Sequence, residues 1–318
     1  MIPSNSCNIR GECCSTLSPT VPPTKSPTLR PTTAAPTTRQ PTPNPTTPRP
    51  TRSPTSRPTP LPTEGDAFPA VLDEMRAYAG FFSPTSSLND LESPQSKSAE
   101  WLAQDKVDNG NDWDLIGYEL LQRYVLGIFY HSTKGEKWDR DQFFFQETAV
   151  CLWGSPGLEC TLGDRTSVND IRLPSNNLVG TLPEEMTYLT ALTSLDLHFN
   201  NLGGSIYDSL GELTGLNVLS LSNNDLVGTI PASLGQLTAL SRLQLYSNSL
   251  TGTIPTELTQ CTNLKWVYFE NNDLSGVIPP GFCSAPFGPW DNRNGALRTD
   301  CGGAIPEVPC DCCDFCPG

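Results

Sequence analysis

Long apolar runs are missing from this 318-residue chain. The longest, Tyr124 to Tyr130, has seven residues, against the roughly 18 needed to span a bilayer. Histidine is scarce. His131 and His198 are the only two, which leaves little material for acid–base chemistry. No Asn-x-Ser/Thr acceptor occurs, so N-linked sugars are not expected. The opening residues, MIPSNSCNIRGECC, lack the charged and apolar regions of a signal peptide as written. Basic side chains number 20 against 34 acidic ones, a formal net charge of −14. That balance weighs against nucleic acid, which is held by Lys and Arg at phosphates. No Ser–His–Asp order, paired acid motif or phosphate loop stands out, so no enzyme is expected. Val107 to Asp114, VDNGNDWD, is rich in oxygen ligands, but its spacing is not that of a calcium-binding EF-hand loop. No cofactor or metal is expected.

Proline and cysteine are abundant, at 31 and 12. Residues 15–63 hold 15 Pro and 15 Thr among 49 residues, with no aromatic and no acidic side chain. Such a tract cannot bury enough apolar surface to overcome its ordering entropy. Proline fixes φ and favours extended polyproline II geometry, which predicts a semi-rigid disordered stalk. Dense Thr and Ser beside Pro also suits O-linked sugars, and an unmodified spacer is the alternative. Residues 1–63 carry seven basic side chains and one acidic one, a net +6, which leaves −20 on the rest.

Residues 64–167 read as mixed helix and loop. Ser93-Pro94 opens one helix, with Ser at the N-cap and Pro in the first turn. Leu115 to Tyr130 gives a second, apolar on most faces, which implies burial against a partner.

From Val168 the sequence repeats every 24 residues, with registers starting at Val168, Leu192, Leu216, Leu240 and Leu264. Each follows L-x-x-L-x-L-x-x-N-x-L-x-G-x-I-P. The third copy is the fullest: Leu216, Leu219, Leu221, Asn224, Leu226, Gly228, Ile230, Pro231. A fixed period with this pattern predicts a leucine-rich repeat solenoid of the α/β class. Its five parallel strands line a concave face. The leucines stack inward on their neighbours. Asn176, Asn200, Asn224, Asn248 and Asn272 are placed to bond backbone groups that the turn leaves orphaned. One departure is visible: Tyr207 stands where Pro183, Pro231, Pro255 and Pro279 stand.

The G-x-I-P ending and 24-residue period resemble the plant-type leucine-rich repeat family of receptor-kinase ectodomains and secreted inhibitors. The resemblance covers 168–282. It extends to the preceding cap, where Trp138, Cys151, Trp153, Gly154 and Cys160 match the family's order within and before CLWGSPGLEC. SPQSKSAEWL and QRYVLGIFYHSTKGEKW are similar to the caps of algal leucine-rich repeat proteins, which also carry Pro/Thr-rich segments. No transmembrane helix and no kinase motif accompanies the five repeats. The resemblance implies a secreted or cell-surface location.

It also implies that Cys151 pairs with Cys160 in the N-terminal cap. Cys283, Cys301, Cys310, Cys312, Cys313 and Cys316 would form a disulfide-linked C-terminal cap over residues 283–318, in 15 possible connectivities. A thiolate metal site in CDCCDFC is the rival. Cys261 occupies a leucine column and is expected as a buried free thiol. Cys7, Cys13 and Cys14, in segment 1–14, are an odd set that could tether another chain.

Side chains alternate along a strand, so the variable positions between the leucines face the concave surface. Two clusters emerge. Arg242, Gln244, Tyr246, Trp266, Tyr268 and Glu270 combine aromatics with charge, as interface anchors and sugar sites do. Trp266 and Tyr268 could instead be covered by the C-terminal cap. Arg172, Asp196, His198 and Phe199 form the second, where His198 beside Asp196 could give a pH-sensitive contact. His131 is expected at a helix C-terminus, interacting with the dipole. Five strands at about 4.8 Å give a face about 24 Å long. The expectation is a non-enzymatic recognition module for a protein or carbohydrate ligand, with a co-receptor or disulfide-linked chain as a possible partner. A structural wall or matrix protein anchored by the stalk is the alternative.

Overall fold

The computed structural model describes residues 68–109, 118–140, 150–152, 157–161, 167–283 and 296–299. The stalk, the cysteines at 7, 13 and 14, and those from Cys301 onward lie outside them, as does the side chain of Cys283. The expectations placed on these residues therefore fall outside the described part.

Four helices precede the repeats: α1 (Phe68–Ala79), α2 (Thr85–Asn89), α3 (Pro94–Asn109) and α4 (Tyr118–Ser132). Helix α3 starts where Ser93-Pro94 predicts. Ser93 Oγ accepts the Ser96 amide at 3.0 Å, which satisfies one of the donors a helix start leaves orphaned. Helix α4 is buried on nearly every face from Leu120 to Tyr130. One side joins a helical core with Met75, Ala79, Leu88, Ala99, Leu102 and Ala103. The other continues into the leucine core of the repeats through Val125, Leu126 and Phe129.

Polar contacts dock the helices on the first repeat. Gln122 Oε1 accepts the Val168 amide at 2.6 Å, at the start of the first repeat strand. Ser83 and Gln95 both donate to Glu185 Oε1, at 2.7 and 3.0 Å. Tyr124 donates to Ser83 at 3.0 Å and extends that network. Trp138 lies against Phe129 and Tyr130, and its Nε1 donates to the Thr133 carbonyl at 3.1 Å. Cys151 and Cys160 form a disulfide with Cα atoms 5.6 Å apart.

Each repeat contributes one short strand to the main sheet: β2 (Val168–Arg172), β4 (Ser194–Asp196), β6 (Val218–Ser220), β8 (Arg242–Gln244) and β10 (Trp266–Tyr268). These pair in parallel and in register, 24 residues apart. Smaller strands follow in each repeat: β3 (Val179–Thr181), β5 (Asn201–Gly203), β7 (Val227–Thr229), β9 (Ser249–Thr253) and β11 (Asp273–Ser275). They pair as β3 with β5, and as β7, β9 and β11 in a row. A 3-10 turn after each Pro step closes the coil, as at Ala232–Gln236.

The main sheet has seven strands rather than five. At one end β1 (Leu158–Cys160) pairs antiparallel with β2. At the other, β12 (Ala296–Arg298) pairs parallel with β10. At about 4.8 Å per strand the face grows from about 24 Å to about 34 Å.

Four of the five asparagines do what their column predicts; Asn176, in the first repeat, accepts the Arg140 amide at 2.8 Å instead, and its Nδ2 has no partner among the described residues. Asn224 Oδ1 accepts the Leu202 amide at 3.0 Å, while its Nδ2 donates to the carbonyls of Leu197 and Leu221 at 3.1 and 3.0 Å. Asn200, Asn248 and Asn272 repeat the pattern. One side chain thus satisfies backbone groups of two adjacent coils. Gly228 takes φ +81°, a region costly for any residue with a Cβ.

Tyr207 follows the same extended backbone as the prolines, with φ −85° and ψ 151° against −65° and 135° at Pro231. Its ring is 8% exposed, so the departure is absorbed as core. Cys261 is fully buried in the leucine column, and burial pushes its thiol up to about 11. Its Sγ lies 3.3 Å from the Leu234 carbonyl, and it is free. His131 does sit in the last turn of α4. Burial, with nearby Lys97 adding to it, lowers its imidazole to about 4. It is therefore neutral near pH 7 and makes no cation–dipole interaction there.

Candidate functional site: the face of the seven-stranded sheet

Three ranks of side chains cross this face, because alternate residues of every strand point the same way. The first runs Asp170, Ser194, Val218, Arg242, Trp266 and Ala296 in Cα register. The second runs Arg172, Asp196, Ser220, Gln244, Tyr268 and Arg298. The third holds His198, Ser222, Tyr246 and Glu270. Its backbone continues the ladder, with Phe199 N–H on Ser222 O at 3.0 Å and Asn223 N–H on Tyr246 O at 2.9 Å.

The N-terminal cluster is a chain of charges. His198 Nδ1 lies 2.6 Å from Asp196 Oδ1. Arg172 pairs with Asp170 and, at 3.8 Å, with Glu159 of β1. Asp170 is 5% exposed, and burial pushes its carboxyl up while Ser194 and Arg172 pull it down. Phe199 packs edge-on against His198 with ring centroids 5.5 Å apart. It is 55% exposed and has φ +56°. The same position in other repeats holds Ser175, Asn223, Ser247 and Asn271, all at positive φ. Asn tolerates this left-handed region, whereas a bulky ring there is an outlier.

The C-terminal cluster is aromatic. The Tyr246 and Tyr268 rings meet edge-on at 6.3 Å. Arg298 lies over the Tyr268 ring at 4.9 Å and reaches Glu270 at 4.0 Å. The cap therefore touches Tyr268 through β12. Trp266 is opposite the small Ala296 and stays half-buried. Arg242 is exposed and Gln244 half-buried.

Between the clusters stand Ser220 and Ser222, which look bland in sequence. Each is 1% exposed, and neither hydroxyl has a hydrogen-bond partner among the described residues. Asp170 Oδ1 is likewise unpartnered. A buried polar group left unpaired costs about 1–3 kcal/mol. Sequence reading also passed over Glu159 and Arg298. Both come from segments outside the repeat, so no period pointed to them.

Among the described residues, no three His, Cys, Asp or Glu side chains are grouped to hold a metal. No helix among them is long and apolar enough to cross a membrane.

The stacked strands, the asparagine ladder and the shared core together define a leucine-rich repeat solenoid. The family model described as Leucine Rich Repeat matches residues 191–213, 215–237, 239–261 and 263–285. The chain belongs to the leucine-rich repeat proteins, and its 24-residue G-x-I-P period makes it one of the plant type.

Among solved structures, it is similar to the BIR3–SERK2 complex from Arabidopsis thaliana. There the identity is 34% over 42% of this chain and 71% of the other, at a TM-score of 0.40. The BIR2 ectodomain from Arabidopsis thaliana is 33% identical over 48% of this chain and 77% of its own, at 0.41. A plant ice-binding protein is 26% identical over 58% and 57%, at 0.48. No curated protein matches the chain.

Proposed function

We propose that the protein is a non-enzymatic extracellular recognition module, secreted or held at the cell surface. The seven-stranded sheet binds a protein or carbohydrate ligand through the two clusters flanking Ser220 and Ser222. The observation that carries this reading is Phe199. A large ring stands in solvent on a backbone conformation that favours Asn, and such strain persists where a function selects it. The disulfide between Cys151 and Cys160 supports an oxidising compartment.

The one triad-like set of residue types among the described residues of the face is not joined throughout by hydrogen bonds. Asp196 and His198 form the acid–imidazole half of a triad, with Ser222 in the next strand position. Among the described residues the Ser222 hydroxyl has no hydrogen-bond partner, so His198 makes no bond to it in this structure.

The test displays the full chain against panels of secreted peptides and wall oligosaccharides. A ligand retained by the native protein should be lost by Tyr246→Ala/Trp266→Ala and weakened by Phe199→Asn. Unchanged retention by both variants would reject the sheet face as the binding surface.

A further inference from the structure

Strand β6 and the two residues that follow it send Leu219 and Leu221 into the core and Ser220 and Ser222 to the opposite side. Asp196 and Gln244 stand on either side of Ser220, in register. His198 and Tyr246 stand on either side of Ser222 along the ladder. Two small residues thus interrupt ranks of large ones, and their two hydroxyls are buried and, among the described residues, unpartnered. The ladder satisfies the backbone beneath them, so these hydroxyls have spare capacity where the surrounding backbone has little.

We infer that this slot is a binding subsite for a neutral sugar residue, with Ser220 and Ser222 as its hydrogen-bonding floor and Tyr246 as its stacking wall. The inference rests on the concave-face reading above and specifies its ligand class. A serine hydroxyl both donates and accepts, and Gln244 offers both functions beside it. That combination matches sugar hydroxyls, each of which also does both.

Charge weighs against an acidic ligand. No Lys or Arg belongs to β6 or to the Asp196–Ser220–Gln244 part of its rank, and the acidic Asp196 borders the slot, whereas the exposed Arg242 stands beside Val218 in the neighbouring rank. Aliphatic anchors are missing too. Of the exposed large hydrophobic residues, Phe199 alone adjoins these ranks. Val218 is the one aliphatic side chain among their members besides Ala296. A protein ligand would find its apolar contacts in the aromatic cluster to one side rather than on the serine floor.

The slot can open. Gln244 makes no side-chain hydrogen bond among the described residues, so it can swing aside while Tyr246 stays against Tyr268 as the wall.

The experiment titrates the full chain with neutral gluco- and manno-oligosaccharides and with oligogalacturonate, by calorimetry. A neutral oligosaccharide should bind about tenfold or more tighter than oligogalacturonate. Ser220→Ala/Ser222→Ala should lower that affinity about tenfold while leaving the melting temperature equal or higher, since it removes unpaired buried hydroxyls. Ser222→Val should fill the slot and abolish binding. A fall in melting temperature for the alanine pair would make the hydroxyls structural and overturn the inference. Undiminished sugar binding by both slot variants, with loss in Tyr246→Ala/Trp266→Ala, overturns the slot but keeps the face. Binding of oligogalacturonate alone, or of no sugar, overturns the ligand class. A slot-dependent peptide from the secreted panel would overturn it as well.

Discussion

The amide of Phe199 donates to the carbonyl of Ser222 at 3.0 Å. That bond belongs to the repeating ladder, yet it ties the most exposed aromatic ring of the repeats to a buried hydroxyl residue on the next strand. The backbone here is the common one, and only the side chains depart from the pattern.

Phe199→Asn should therefore stabilise the protein. Asn stands at Asn223 and Asn271, where φ is +53° and +59°, and its short side chain relieves the left-handed strain. A gain of about 0.5–1 kcal/mol is expected in urea unfolding, with an unchanged m-value. A loss of stability would mean the ring packs more than its 55% exposure indicates.

Replacing a central rung should do the opposite. Asn224→Leu removes the acceptor for the Leu202 amide and the donor for the Leu197 and Leu221 carbonyls. Stranding these buried groups should cost about 3 kcal/mol or more. Circular dichroism melts would show it, and Asn217→Ala on the exposed side serves as the control, with a change within about 0.5 kcal/mol.

Acid should weaken the fold through His131. Its folded imidazole is held near 4, below the ordinary value of 6.5, so between these values the unfolded chain binds the extra proton. Stability then falls as pH drops from about 6.5 toward 4, by up to about 3 kcal/mol. His131→Gln should flatten that part of the curve. An identical slope in the variant would assign the effect to the carboxylates.

The thiol of Cys261 should resist alkylation. It is fully buried, and burial pushes its ionisation up to about 11. Iodoacetamide at pH 8 should leave Cys261 unmodified in the native protein and label it within minutes in guanidinium, read by peptide mass. Native labelling at the same rate would show that the last repeats open readily.

Breaking the ion pair under Trp101 should destabilise the helical cap. Arg123 Nη2 lies 2.6 Å from Asp105 Oδ2 with both side chains almost out of solvent, and the guanidinium faces the Trp101 ring at 5.1 Å. Arg123→Met leaves Asp105 buried without its cation, at a cost of about 3–5 kcal/mol. Asp105→Leu added to Arg123→Met should recover part of that loss.

The repeats were legible because one solution is used again every 24 residues. Leu219, Asn224 and Gly228 each answer a local backbone demand, and the same demand returns at Leu243, Asn248 and Gly252. Alternation within the strand likewise placed Tyr246 and His198 on one face. Ser93 marked the start of α3 by its own hydrogen bond. The chemistry of that face was less legible. Arg298 and Glu159 come from segments with no period, and Ser220 and Ser222 carry no signal in their own strand.

Sequence alone determined the architecture of repeated strands, the ladder of asparagines and which side chains of the repeats share the face. Each of these depends on residues a fixed distance apart in one chain. The tertiary structure decided the rest. It added β1 and β12 to the sheet ends, brought Arg298 over Tyr268, and buried two serine hydroxyls with no partner among the described residues. Those outcomes depend on what stands on the neighbouring strands, as Asp196 and Gln244 do in register beside Ser220.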